Sequence, residues 1–209
     1  MGLLSLFGLR SGAEGRSGTV LRSDRLLLRP PRVEDYEAWS ALRRESRAFL
    51  QPWEPRWPSD HLTRPSFRRR VRWAGNEAEA DRAYSFLAFL RDDEALVGGI
   101  TLSNVRRGPA RSGSLGYWVG ERHARRGYMD EAVGRMEDFA FDDLGLVRLE
   151  AACLEENDAS RRLLERRGYA SEGIVRGYLE VDGEVRDHVL YAKLAEEVAR
   201  SRAYRERRA

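Results

Sequence analysis

The run Gly116-Tyr117-Trp118-Val119-Gly120-Glu121-Arg122-His123-Ala124-Arg125-Arg126-Gly127-Tyr128-Met129-Asp130-Glu131-Ala132 is the most informative stretch of the chain. It starts in a strand-like segment, passes through a tight basic loop and enters a helix directly. The first amides of such a helix have no partner within it, and its dipole adds positive charge at the same end. That makes the junction suited to a pyrophosphate group. Arg122, Arg125 and Arg126 put further charge where an anion would profit. The plainer reading is an ordinary strand–helix connection with surface arginines, since arginine is common throughout the chain.

Downstream, Asn157-Asp158-Ala159-Ser160-Arg161-Arg162-Leu163-Leu164-Glu165-Arg166-Arg167-Gly168-Tyr169 reads as a second junction of the same kind. Helix capping alone also explains it, because Asn is favoured before a helix and Gly just after one. Between and around the two junctions the pattern predicts strands over Tyr84–Arg91, Ala95–Val105, Gly113–Val119 and Val147–Leu154. It predicts helices over Gly127–Leu144 and Asp158–Arg167, and a closing hairpin of Tyr169–Val181 and Glu184–Leu194 across Asp182-Gly183. Upstream, Val20–Arg29 is strand-like, and Glu34–Phe49 and Thr63–Asp81 have helical spacing. Pro52, Pro55 and Pro58 exclude a regular helix or central strand over Leu50–Pro58, leaving a fixed loop that carries Trp53 and Trp57. The expected organisation is a flexible lead-in at 1–19, one mixed α/β domain at 20–194 and a basic tail at 195–209.

Composition excludes several function classes. Of 209 residues, 37 are Lys or Arg and 34 Asp or Glu, a net charge of +3, and the only lysine is Lys193. A nucleic-acid binder ordinarily uses both bases, so the arginine excess reads as compositional bias rather than a nucleic-acid surface. With no Gly-x-x-x-x-Gly-Lys loop there is no nucleotide phosphate cradle of that type, and Schiff-base chemistry is disfavoured. His61, His123, His188 and Cys153 are scattered, without metal-ligand spacing, so no metal is expected. No Gly-x-Ser-x-Gly elbow is present, and no apolar run approaches membrane-spanning length. One cysteine cannot form an intramolecular disulfide, which favours a reducing compartment.

Taken together, the two junctions resemble motifs A and B of the Gcn5-related N-acetyltransferase (GNAT) superfamily. Arg122 and Gly127 match its Q/R-x-x-G-x-G/A loop, while Arg125 stands where the first glycine is expected. Asp24-Arg25-Leu26-Leu27-Leu28-Arg29-Pro30 looks like the family's first strand. Phe49–Pro55, Val97–Ile100 and Asp187-His188-Val189-Leu190-Tyr191 are similar to the Rim-type branch, which acetylates N-terminal alanines of ribosomal proteins.

The resemblance implies an α/β (α+β) fold: a mixed, mostly antiparallel seven-stranded sheet flanked by helices. That sheet splays between two parallel central strands, Gly113–Val119 and Val147–Leu154, and the gap takes the pantetheine arm of acetyl-CoA. It implies direct acetyl transfer to a primary amine in a ternary complex, without metal. Trp118, Val119, Arg122, Arg125, Arg126, Gly127, Tyr128, Met129, Asn157 and Ser160 would hold the cofactor. The tyrosine that many relatives place seven residues after the motif-B asparagine is Leu164 here, so Ser160 is the available general acid; its rival role is to satisfy an early helix amide. Glu150 or a water relay would serve as base, with an arginine ion pair as the plainer role for Glu150. Trp53, Trp57 and Tyr178 would wall the acceptor slot, or simply pack. Cys153 reads as a buried, inert thiol. The implied acceptor is the N-terminal α-amine, alanine first, of a ribosomal or other protein, in a cytoplasmic monomer or homodimer with no membrane or specific nucleic-acid partner. Two alternatives stay open: a small amine (polyamine, antibiotic or amino-acid derivative), or a non-catalytic ribosome- or RNA-associated module.

Overall fold

The computed structural model describes residues 18–198. Strands β1 (Leu21–Arg22) and β2 (Leu26–Arg29) lead to helices α1 (Tyr36–Glu45), α2 (Arg47–Leu50) and α3 (Arg64–Glu79). Then come β3 (Tyr84–Leu90), β4 (Leu96–Arg106), β5 (Ser112–Val119), α4 (Tyr128–Asp138), β6 (Arg148–Cys153), α5 (Asp158–Arg166), β7 (Ala170–Val181) and β8 (Glu184–Leu194). One sheet takes them in the order β1-β2-β3-β4-β5-β6-β8-β7, antiparallel at every pairing except β5 with β6. It has eight strands where the sequence suggests seven, because a turn closed by Ser23 N–H to Leu26 O divides the first strand in two.

Burial follows from what covers each face. β3 reads Tyr-Ser-Phe-Leu-Ala-Phe-Leu, apolar on both sides, as a central strand roofed twice must be. One face packs β2–β5 residues such as Leu28, Phe86 and Ile100 against Ala132, Val133 and Met136 of α4 and Leu163 and Leu164 of α5. The other packs Leu87, Phe89 and Leu96 against Trp39 and Leu42 of α1 and Phe67 of α3.

Two helical spans differ in detail from the periodicity. The span from Glu34 breaks at Ser46, where the hydroxyl oxygen accepts the Glu121 N–H at 2.9 Å and ties this corner to the basic loop. The span from Gly127 ends in a π turn, Phe139–Asp143, which buries Phe139, Ala140 and Phe141 in succession. Gly98 and Gly99 of β4 allow a close approach by β5. A methyl at Gly98 would overlap the Trp118 carbonyl oxygen, and one at Gly99 would lie 2.6 Å from Trp118 Nε1. A helical turn starts at Ala195; the lead-in through Ser17 and the tail beyond Val198 lie outside the described residues.

Candidate active site

The β5–β6 ladder joins Ser112–Leu115 to Arg148–Ala151 and then stops. Beyond it, Gly116–Val119 pair only with β4, and Ala152–Cys153 only with β8. Gly120 N–H bonds Val97 O on the β4 side, so alternation along the strand turns the peptide groups of Tyr117 and Val119 towards the gap. A cavity of about 1950 Å³ opens there, lined by Trp118, Val119, Ala152 and Cys153, and runs on to the start of α4. A split sheet edge with free peptide groups can take an extended chain carrying amides of its own, as pantetheine does.

At the α4 end, Arg125 (φ +60°) and Gly127 (φ +79°) both adopt left-handed backbone. Arg125 therefore takes up the conformation that a glycine would supply at that position, at a cost of about 1–2 kcal/mol. No side chain caps α4, so the amides of its first turn, from Tyr128 to Asp130, face the cavity without an intrahelical acceptor. The acids of that turn are neutralised sideways: Glu131 binds Arg25, and Asp130 lies 3.4 Å from Arg166. Burial works to raise the Glu131 carboxyl, but hydrogen bonds from Ser23 and Arg25 outweigh it and hold it below the ordinary carboxylate value. Arg125 lines the cavity. Arg122 turns away to Glu45 at 2.9 Å and to His123, and Arg126 contributes its carbonyl to Arg25 rather than a guanidinium to the cavity wall. The two arginines so placed lend the cavity only long-range charge.

Arg25 is a member of this end that charge patterning alone does not single out. Its backbone N–H and Nε each meet a Glu131 oxygen at 2.8 Å, Nη1 meets Arg126 O at 3.1 Å, and the guanidinium lies 4.8 Å from the Tyr128 ring centre. It therefore clamps the loop to the first strand pair. Arg25→Ala is expected to weaken acetyl-CoA binding by about fivefold, the equivalent of one net hydrogen bond. The maximal rate should be nearly unchanged, as calorimetry and saturation kinetics would read.

At the gap itself, Asn157 Oδ1 accepts the Ser160 N–H at 3.1 Å and caps α5. The Ser160 hydroxyl is thereby freed from capping and lies 2.8 Å from the Tyr117 hydroxyl. Burial pushes the Tyr117 phenol well above its ordinary value, so it stays a neutral donor. Burial likewise pushes the neighbouring Cys153 thiol up, against an opposing hydrogen bond with Ser160, which leaves it a poor nucleophile. Leu164 is fully buried in the core.

The acceptor end is framed by the proline-rich loop. Trp53, Glu54 and Pro55 line the cavity. Arg43 chelates Glu54 at 2.7 and 2.5 Å, and its guanidinium sits between the Trp57 and Trp118 rings, 4.5 and 4.8 Å from their centres. Trp57 is buried, stacked 4.2 Å from His61 and bonded to Glu54, so it braces the wall instead of forming it. Burial first, then Arg70 and Arg43, push His61 down to about 3, and the imidazole between them stays neutral. Asp182 N–H bonds Glu54 O at 2.9 Å and Arg56 bonds Asp182 O at 2.8 Å, which straps the loop to the β7–β8 turn.

Two sequence candidates lie elsewhere. Glu150 is held by Arg148 at 2.8 Å and Arg106 at 3.6 Å, and with Tyr178 it lines a separate cavity of about 480 Å³. Its register within the closed part of the β5–β6 ladder, opposite Ser114, keeps it from the gap and leaves it the ion-pair role. Tyr178 meets the site through its edge contact with His188, ring centres 5.8 Å apart.

The sequence matches the family model described as the acetyltransferase (GNAT) domain over residues 25–170. It is 32% identical over 175 residues to a probable N-acetyltransferase, YjcK, of Bacillus subtilis, covering 84% of this chain and 97% of that one. It is also 32% identical over 189 residues to the [ribosomal protein uS5]-alanine N-acetyltransferase of Escherichia coli, covering 90% and 95%. Among solved structures, Mycobacterium smegmatis RimJ in complex with CoA-disulfide superposes with a TM-score of 0.78 at 36% identity, over 86% of this chain and 88% of that one.

Proposed function

Because the chain belongs to the GNAT family of N-acetyltransferases, we propose that it transfers the acetyl group of acetyl-CoA to the N-terminal α-amine of a protein, alanine-initiated chains first. The observation that carries this reading is the parted β5–β6 edge, continuous with the uncapped start of α4. The named activity of the Escherichia coli relative supports the choice of acceptor.

Acetyl-CoA, when bound, supplies a thioester carbonyl carbon open to attack by an amine. The Val119 N–H, turned towards the gap, is placed to stabilise negative charge on the carbonyl oxygen. The α4 amides and Arg125 hold the pyrophosphate. Ser160, oriented by Tyr117, delivers the proton that the leaving sulfur needs. Trp53 and Glu54, fixed by Arg43, shape the slot through which the acceptor terminus enters.

The test measures free-thiol release from acetyl-CoA with peptides beginning in alanine, serine and methionine, alongside a panel of polyamines and aminoglycosides. Turnover of alanine-initiated peptides is expected. Turnover confined to small amines overturns the protein-acceptor reading, and acetyl-CoA binding without turnover on any amine overturns the catalytic one.

A further inference from the structure

We propose that His188 is the general base that removes the proton from the acceptor amine, directly or through one water. This rests on the acetyl-transfer reading above and supplies the group that Glu150, locked with Arg148 and Arg106, does not.

His188 is a buried residue that lines the large cavity. Its Nδ1 lies 3.0 Å from the carbonyl oxygen of Arg186. A carbonyl can only accept, so Nδ1 carries the hydrogen and the neutral ring presents a lone pair at Nε2. No described group bonds Nε2, and Nε2 is not fully enclosed, in a residue that lines the cavity. Tyr178 from β7 packs on the ring edge, and Glu156 from the β6–α5 turn, paired with Arg186, is close enough to interact with its charge.

Strand alternation places the proposed acid and base on opposite faces of the sheet. Leu115 lies opposite Ala151, Ala151 opposite Tyr191 and Cys153 opposite Val189, all on the face covered by α4 and α5. Tyr117, two residues beyond Leu115, reaches Ser160 on that face. Trp118 and His188, each one residue out of step, belong to the other face, where Trp53 and Glu54 frame the slot. An ammonium entering there loses its first proton to His188 Nε2, which releases it to solvent. The nitrogen lone pair forms the C–N bond as the C–S bond breaks. The thiolate takes a proton through Ser160, and the second proton lost from nitrogen replaces it, so one proton is released per acetyl group transferred.

The experiment compares wild type with His188→Asn, which can keep the donor to Arg186 O but has no Nε2, and with His188→Gln as a second variant. An alanine-initiated peptide is the acceptor. Both variants should bind acetyl-CoA and melt as wild type does. Their kcat/KM should fall by about 100-fold, and the pH–rate profile should then follow the deprotonation of the acceptor amine itself. The defect should shrink to within about threefold for the same peptide carrying an aminooxyacetyl group in place of alanine, since its nitrogen is already unprotonated at neutral pH. Wild-type kcat/KM and an unaltered pH profile in either folded variant overturn the proposal, as does an equal defect with both acceptors. Absence of turnover by the wild type on any amine is a different result, and it removes the acetyl-transfer reading together with this one.

Discussion

Ser160→Ala should lower kcat by about 100-fold while leaving the acetyl-CoA dissociation constant within about threefold of wild type, the signature of an interaction made in the transition state. The reason lies in how the hydrogen bonds of α5 are divided. Asn157 already accepts the Ser160 amide, so the Ser160 hydroxyl has no capping duty and its removal leaves the helix start intact. Thermal melts of Ser160→Ala should therefore superpose on wild type, whereas Asn157→Ala should lose about 1 kcal/mol of stability along with activity. Tyr117→Phe should cost less, about tenfold, because it removes the partner that orients the hydroxyl and not the hydroxyl itself; the two changes should combine non-additively. Burial keeps the Tyr117 phenol protonated past its ordinary range, so the alkaline side of the pH–rate profile should show no limb belonging to it. A matched loss of stability, cofactor affinity and rate in Ser160→Ala would make the serine structural.

The order of elements and the parting of two parallel strands were legible because they rest on local signals. Strand–loop–helix junctions at Val119–Tyr128 and Cys153–Asp158 announce themselves by caps, glycines and a change of period. What stayed hidden depends on register and on distant partners. Glu150 and His188 look alike to a reading of strand residues, yet a few positions along the ladder decide that one faces Arg148 in a closed pairing and the other faces the cavity. Arg122 matches a loop pattern, but Glu45, 77 residues away in sequence, takes its guanidinium. Trp53 and Trp57 share one short loop; His61, which lies beyond it, draws only Trp57 inward. Tyr117 lay inside the stretch that decided the fold, and strand alternation could have singled it out as facing α5 once Leu115 was assigned to the core.

The largest expected loss of stability belongs to a residue outside the site. Glu137→Leu should destabilise the fold by about 3–5 kcal/mol, because it strands buried positive charge without its counter-ion. Glu137 on α4 is buried and accepts from Lys193 Nζ at 2.9 Å and from Arg167 Nη2 at 2.5 Å, while the same ammonium donates to Arg167 O at 2.5 Å. This is the position at which an otherwise arginine-only chain keeps a lysine. The ammonium is compact, its donors meet two acceptors within about 3 Å, and it lies 5.5 Å from the Tyr169 ring centre. The planar guanidinium of Lys193→Arg would overfill the space, at a cost of about 1–3 kcal/mol. Burial pulls the Lys193 amine below its ordinary value in spite of Glu137. Between the folded and unfolded values the unfolded chain therefore binds more protons, and stability rises with pH through that window. Glu137→Gln removes the opposing attraction, drops the folded value further and extends the window towards neutrality. Urea melts at neutral and mildly alkaline pH should then show the variant recovering stability with pH more steeply than wild type. Arg167 follows α5, which carries Ser160, and crosses Gly134 of α4, whose first turn faces the cavity. The same substitution should therefore loosen acetyl-CoA binding as well as the fold, and an unchanged dissociation constant in a destabilised Glu137→Gln would separate this triad from the site.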